Sequence, residues 1–142
     1  MNTISAENQL DGVIRAVHSG AVNDEIEIVL RGGQPVAVTV TRASTTAMQL
    51  VAGKRVTALL PANQIILSAR QGTEFSADNQ LTGVVSARRD GAVSCEIDVQ
   101  VGDGLTLTAM LTEGSAGEMA LSEGVFVNAW FNAANMILFC AE

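Results

Sequence analysis

The chain has 142 residues, of which 48% are hydrophobic, 16% are charged and 4% are aromatic. This composition predicts a buried core rather than a disordered tail. The sequence has no run of about 18 apolar residues, so no membrane-spanning helix is predicted. The net charge of −7 and the shortage of aromatic rings argue against a nucleic-acid-binding surface, which needs a basic patch or stacking platforms.

The first half of the chain is mainly a series of short strands. Four runs show β-branched or alternating patterns, at 11–22, 24–33, 34–42 and 55–67. Residues 44–54 are the one helical stretch, with Ser44 or Thr45 as its N-cap and Gly53 as its stop. The run at 55–67 is interrupted at residues 61–63, so each unit has roughly five short strands and one helical turn, which fits a small closed barrel of the OB type.

The second half of the chain repeats the first at an offset of 71. Residues 5–67 align with residues 76–138 without a gap, and 24 of the 63 positions are identical. A constant offset over this length indicates tandem duplication. We therefore predict an all-β chain of two tandem OB-type barrels, each with one short helix, over 1–70 and 71–142. The linker over 68–75 is short, so the two units are expected to touch.

Association is the expected source of stability for such small units, because a domain of about 65 residues buries little surface on its own. The two cysteines, Cys95 and Cys140, align with Asp24 and Ala69 in the repeat. Their spacing is not that of a metal site or a redox pair. We interpret them as packing residues or mild surface thiols, and we predict no directly ligated metal.

No catalytic constellation is apparent. The single histidine, His18, aligns with Arg89 in the repeat, and no motif in the sequence pairs a nucleophile with a base. The prediction is therefore a binding protein rather than an enzyme. The N-terminus, MNTISAENQL, lacks the basic stretch and apolar core of a secretory signal, so a cytoplasmic location is expected.

Four motifs occur in the same order in both halves. They are a Ser-Ala-x-Asn-Gln start, a Gly-Ala-Val turn, a Thr-x-x-Ser segment and a final strand that begins with Ala. Together they resemble the Mop domain, the molybdate-binding unit of molbindins, and two such units in one chain resemble the two-domain molbindins. The resemblance implies an OB-type barrel for each unit and a homotrimer in which six units form one body. It also implies molybdate or tungstate held at interfaces between units, for cytoplasmic storage and homeostasis of molybdenum.

The resemblance also implies which residues contact the oxyanion. The candidates are main-chain amides and hydroxyls, which can donate to a tetrahedral dianion. In the first unit they are Ser5, Ala6, Gly20, Ala21, Val22, Thr41, Ser44 and Ala62. In the second unit they are Ser76, Ala77, Gly91, Ala92, Val93, Thr112, Ser115 and Ala133.

This chain departs from the family pattern at two positions in each unit. Many members have Arg two residues after the first Ser and Lys before the Ala of the last strand. Here Glu7 and Asp78 stand at the first position, and Pro61 and Asn132 stand at the second. The prediction is therefore a site of neutral donors, with no carboxylate pointing inward.

Structural roles remain open for the same residues: hairpin turns for the Gly-Ala-Val segments, helix caps for the Thr-x-x-Ser segments, and strand ties for Asn8 and Asn79. A second function also remains open, a molybdate-sensing module that acts in trans on a partner protein. The chain carries no helix-turn-helix and no GxxxxGK[ST] loop of its own.

Overall fold

The computed structural model describes residues 3–69, 75–102 and 104–140. The strands are β1 (Asn8–Ser19), β2 (Asn23–Leu30), β3 (Pro35–Thr41), β4 (Arg55–Leu60), β5 (Ile66–Ser68), β6 (Asn79–Asp90), β7 (Ser94–Gln100), β8 (Thr106–Thr112), β9 (Phe126–Phe131) and β10 (Ile137–Phe139). The helices are α1 (Arg42–Met48) and α2 (Glu113–Glu118), and 3-10 turns cover Ala62–Gln64 and Ala133–Asn135. The prediction of an all-β chain with two OB-type units, each with one short helix, is confirmed.

Alternation along the strands separates core from solvent. In β2, Ile26, Ile28 and Leu30 are buried, whereas Glu25 is exposed and Glu27 is half-buried. The period of two seen in the sequence therefore places one face of the strand on the core. Within the described part of the chain, no helix is long and apolar enough to cross a membrane.

The first helix differs from its prediction at both ends. It begins one turn earlier than expected, because the Thr41 hydroxyl, rather than Ser44 or Thr45, accepts a hydrogen bond from the Ser44 amide at 3.1 Å. It ends at Met48, since Gln49 adopts a left-handed conformation with φ of 54°. Gly53, with φ of 94°, instead forms the turn that leads into β4. The predicted cap and stop are therefore wrong.

The two sheets exchange their last strands. One sheet has the order β10-β4-β1-β2-β3 and the other has the order β5-β9-β6-β7-β8. In register, Ile137 of β10 faces Leu59, and Ile66 of β5 faces Trp130. Each sheet is consequently built from both halves of the chain. The predicted boundary between residues 70 and 71, and the linker residues 70–74, lie outside the described residues, so this division stays a prediction.

Two buried asparagines fasten the halves to each other. The Asn79 side chain accepts from the Ala37 amide at 2.8 Å and donates to the Ala37 carbonyl at 2.9 Å. The Asn8 side chain does the same with Thr108, at 2.7 Å and 2.9 Å. Each asparagine thus imitates a strand partner for the third strand of the other unit. This confirms the structural role that the sequence left open for both residues.

Trp130 takes the place of Leu59 in the second unit and is 5% exposed. Its ring stacks on Phe75, with 4.5 Å between centroids and 19° between planes. The indole therefore serves the core at the junction between the units, where β5 of the first half pairs with β9.

Candidate functional site

A cavity of about 370 Å³ lies between the two halves, beside the start of β1. Ser5, Ala6 and Glu7 line one wall, and Pro61 lines the same wall from the loop after β4. The second half contributes three further lining residues, Met110, Asn135 and Ile137. The cavity therefore brings two predicted donors, Ser5 and Ala6, to a surface formed by both units, and none of its lining residues in the described ranges is a lysine or arginine.

The amide of Ala62, which follows the lining residue Pro61, is already bonded by a carboxylate of the chain. Glu7 Oε1 accepts a hydrogen bond from the Ala62 amide at 2.9 Å. In the second unit, Asp78 Oδ2 accepts from the Ala133 amide at the same distance. The expectation that no carboxylate points toward the predicted donors is therefore wrong at these two amides.

The Gly-Ala-Val segments form the tight turns between β1 and β2 and between β6 and β7. The Gly20 amide donates to the Asn23 carbonyl at 3.0 Å and to Asp24 Oδ1 at 3.2 Å. Both remaining members of this turn, Ala21 and Val22, are exposed.

The equivalent turn in the second unit has the same arrangement with different residues. The Gly91 amide donates to the Ser94 carbonyl at 2.9 Å and to Glu113 Oε2 at 3.2 Å. Cys95 replaces the aspartate of the first unit, and Glu113 supplies the carboxylate from the helix start instead. Ala92 and Val93 are exposed, as in the first unit.

The Thr-x-x-Ser segments cap the two short helices. Thr41 Oγ1 donates to Ser44 Oγ at 2.9 Å, and Thr112 Oγ1 donates to Ser115 Oγ at 3.0 Å. The Arg42 amide also donates to the Val22 carbonyl at 3.1 Å, which joins the cap to the Gly-Ala-Val turn. Their structural role as caps is confirmed, and their hydroxyls remain close to solvent.

The structure thus gathers the predicted residues of a unit into two groups rather than one. The first group, Ser5, Ala6 and Ala62, lies at the start of β1, and the second, around Gly20 and Thr41, lies at its end. At about 3.3 Å per residue, the path along β1 is roughly 36 Å. A single small anion cannot contact both groups of one unit, so a complete site of both kinds needs a second unit or a second chain.

A smaller cavity of about 160 Å³ lies beside the corresponding region of the second unit. Ala77 and Asn132 line it from the second half, and Asn63 and Gln64 line it from the first. The buried Trp130 also lines it, and the indole nitrogen has no hydrogen-bond partner among the described residues. The predicted donor Ala133 follows the lining residue Asn132, and Ser76 precedes the lining residue Ala77.

One cluster has metal-ligand chemistry, but Arg88 already pairs with both of its carboxylates. One ligand atom each of Asp90, Cys95 and Glu113 lies within 4.8 Å of the others. Arg88 bonds Asp90 at 2.8 Å and approaches Glu113 at 3.5 Å. The guanidinium holds the pKa of the Asp90 carboxyl below its ordinary value, and burial raises the pKa of the Cys95 thiol. Arg88 therefore offsets one of the two carboxylate charges of this cluster.

The sequence indicated some of these contacts and missed others. Glu7 and Asp78 were visible as substitutions in the first motif, but their bonds to alanine amides 55 residues away were not. The substitution of Asp24 by Cys95, with Glu113 as replacement, was also hidden, because it depends on which carboxylate reaches the turn in three dimensions.

Comparison with known proteins places these features in a family. The TOBE domain model matches twice, over residues 4–67 and 76–138. The molybdenum-pterin-binding protein MopA of Rhodobacter capsulatus is 38% identical over 135 residues. The DNA-binding transcriptional dual regulator ModE of Escherichia coli K12 is 33% identical over 135 residues. Each of these matches covers 94% of this chain and 51% of the relative, so the chain spans about half the length of these curated relatives.

A solved structure matches over the whole length. The cytoplasmic molybdate-binding protein ModG, in a crystal form with molybdate bound, has a TM-score of 0.94 and 37% sequence identity. The match covers 99% of this chain and 100% of that one. The strand exchange and the two-unit organisation therefore lie within an architecture already seen with an oxyanion present.

Proposed function

Because the chain belongs to the TOBE-domain family and carries two tandem copies of the domain, as molbindins do, we propose that it binds molybdate or tungstate. Its role is to store and buffer molybdenum in the cytoplasm, without catalysis. The observation that carries this proposal is the likeness, over nearly the whole chain, to a protein crystallised with molybdate. The cavity between the units, with Ser5 and Ala6 on its wall, supplies a place for the anion.

Neutral donors suffice for such a site. A hydrogen bond to a charged acceptor contributes about 1.5–3 kcal/mol, so four donors contribute about 6–12 kcal/mol. A micromolar dissociation constant corresponds to about −8 kcal/mol. Ser5, Ala6 and Ala62 and their counterparts offer one set of donors, and the Gly-Ala-Val and Thr-x-x-Ser segments offer the other. The site therefore needs no lysine or arginine.

Assembly into a homotrimer is part of the proposal. The two donor groups of a unit lie at opposite ends of β1, so contacts between units or chains are needed to combine them. Exposed apolar side chains recur at equivalent positions of both units, at Val13 and Val84, Val22 and Val93, and Ile66 and Ile137. A surface duplicated in this way is suited to cover itself in a symmetric assembly.

Isothermal calorimetry tests the proposal. We expect molybdate and tungstate to bind with several sites per chain, and sulfate and phosphate to bind more weakly. Light scattering is expected to give three times the chain mass of 14.8 kDa. A monomer that binds none of the four anions at millimolar concentration would contradict the proposal.

The site residues are tested by changing both first-motif serines. Ser5→Ala with Ser76→Ala is expected to weaken molybdate binding without changing the melting temperature. The matched control, Ser86→Ala with Ser122→Ala, changes two exposed serines outside the proposed site and is expected to leave affinity unchanged. Equal affinities in both double variants would remove Ser5 and Ser76 from the site.

A regulatory role in trans is the second candidate, and the match to ModE favours it. A sensor of this kind binds one or two anions per chain and changes its affinity for a partner protein when loaded. Storage instead predicts several anions per chain and no partner. The stoichiometry in the calorimetric experiment separates the two roles.

A further inference from the structure

Two carboxylates occupy main-chain donors that the proposed oxyanion site needs. Glu7 bonds the Ala62 amide and Asp78 bonds the Ala133 amide, both at 2.9 Å. The acid and the alanine are 55 residues apart in each unit. The same contact therefore occurs in both units, although the side chain of the second unit is one methylene shorter.

An oxyanion cannot use these amides while the carboxylates hold them. An N–H group has one hydrogen, so a second acceptor can share it only through a longer and weaker bond. Ala62 is 0% exposed and Ala133 is 3% exposed, so neither amide can turn toward a ligand on another side. The anion therefore has to displace the carboxylate.

Displacement is open to Glu7 and Asp78 because both side chains lie at the surface. Asp24, which bonds the Gly20 amide, is 3% exposed and has no such freedom. The charge of Glu7 also disfavours the anion, since Glu7 lines the 370 Å³ cavity and no lysine or arginine is among the described residues that line it. A carboxylate at this wall repels a dianion even when it has released the amide.

We propose that Glu7 and Asp78 are internal competitors of the bound oxyanion, which lower its affinity and favour its release. This inference rests on the proposed function. A ligand that binds only the open form has an apparent dissociation constant equal to its intrinsic constant divided by the open fraction. If the carboxylates hold the amides nine-tenths of the time, the apparent affinity is about tenfold weaker than that of the open site.

Two double variants separate occupancy from charge. Glu7→Ala with Asp78→Ala removes both the acceptor and the charge, and we expect about tenfold or more tighter molybdate binding by calorimetry. Glu7→Gln with Asp78→Asn removes the charge but keeps an oxygen acceptor for the amide, so an intermediate affinity is expected. Glu25→Gln with Glu123→Gln, two exposed glutamates elsewhere, removes the same charge and is expected to bind as the unchanged chain does.

The possible results are distinguishable. If the unchanged chain binds molybdate as tightly as the alanine variant or more tightly, and their melting temperatures match, the competition is overturned. The proposed function then remains intact. If the control variant gains as much affinity for molybdate as the alanine variant, net charge alone explains the effect, and the competition is again overturned. An absence of binding in every folded variant would overturn the proposed function together with the inference.

A crystal of the unchanged chain soaked in tungstate gives a test that does not depend on how the variants fold. We expect tungstate oxygen on the Ala62 or Ala133 amide, with the Glu7 or Asp78 carboxylate turned away toward solvent. Tungstate bound elsewhere, with both carboxylate contacts unchanged, would refute the proposal.

Discussion

Replacement of Asn79 by alanine tests whether the two halves form one cooperative unit. Asn79 is 4% exposed, and its side chain makes two hydrogen bonds to the main chain of Ala37 in the other half. Asn79→Ala leaves the Ala37 N–H and C=O groups without this partner. A buried polar group left unpaired costs about 1–3 kcal/mol, and because Ala37 is only half-buried we expect a loss near the lower end for the two groups, about 2 kcal/mol.

Urea denaturation measures this loss, and a fixed protein concentration is used because the proposed trimer would make stability depend on concentration. We expect a single transition at a lower midpoint, since each sheet contains strands from both halves. Asn23→Ala is the matched control. Asn23 is exposed at the start of β2, and its loss is expected to change the free energy of unfolding by less than about 0.5 kcal/mol.

The aspartate variant sharpens the test. Asn79→Asp keeps the acceptor for the Ala37 amide but loses the donor for the Ala37 carbonyl at neutral pH. Protonation restores a donor, and burial favours the protonated form, so acid is expected to recover part of the lost stability. An Asn79→Ala variant within 0.5 kcal/mol of the unchanged chain, or two separate transitions in urea, would refute the reasoning.

Three further predictions follow from the fold. Arg89 bonds both oxygens of Asp98 at 2.8 Å and holds the pKa of that carboxyl below its ordinary value. The Arg89–Asp98 pair contributes about 0.2–1 kcal/mol, as surface pairs do, and this stability is fully present above the unfolded pKa of about 3.9 and is lost as pH falls through the lower pKa of the folded state. Asp98→Asn is expected to flatten the acid side of a melting-temperature profile, and an unchanged slope would contradict this. A Cβ at Gly83 would collide with the Gln100 carbonyl oxygen, so Gly83→Ala is expected to cost about 2 kcal/mol in urea denaturation. Gly114→Ala, in α2 with no atom within 4 Å of the added Cβ, is the control and is expected to be neutral or stabilising. A chain that ends at residue 69 lacks β10 beside β4, so light scattering is expected to find dimers or unfolded chains rather than a folded monomer.

The sequence by itself determined the class of fold and its duplication. Period-two alternation, as in Ile26 and Ile28, reports which strand face is buried, because successive side chains point to opposite sides. The repeat offset of 71 residues is found by comparing the sequence with itself and needs no structure. The order of the four motifs was also enough to indicate the family, since those short segments each carry local turn, cap or strand chemistry.

Only the tertiary structure decided how the two halves are joined and what surrounds the candidate donors. The exchange of β5 and β10 is invisible in the sequence, because Ile66 and Ile137 are identical in type and either sheet could accept either strand. The carboxylates on the amides of Ala62 and Ala133 were hidden for a related reason. Contacts between residues that are 55 positions apart depend on which strands pair in the folded chain. The alternation of apolar and polar residues within one strand does not show which distant residues it will contact.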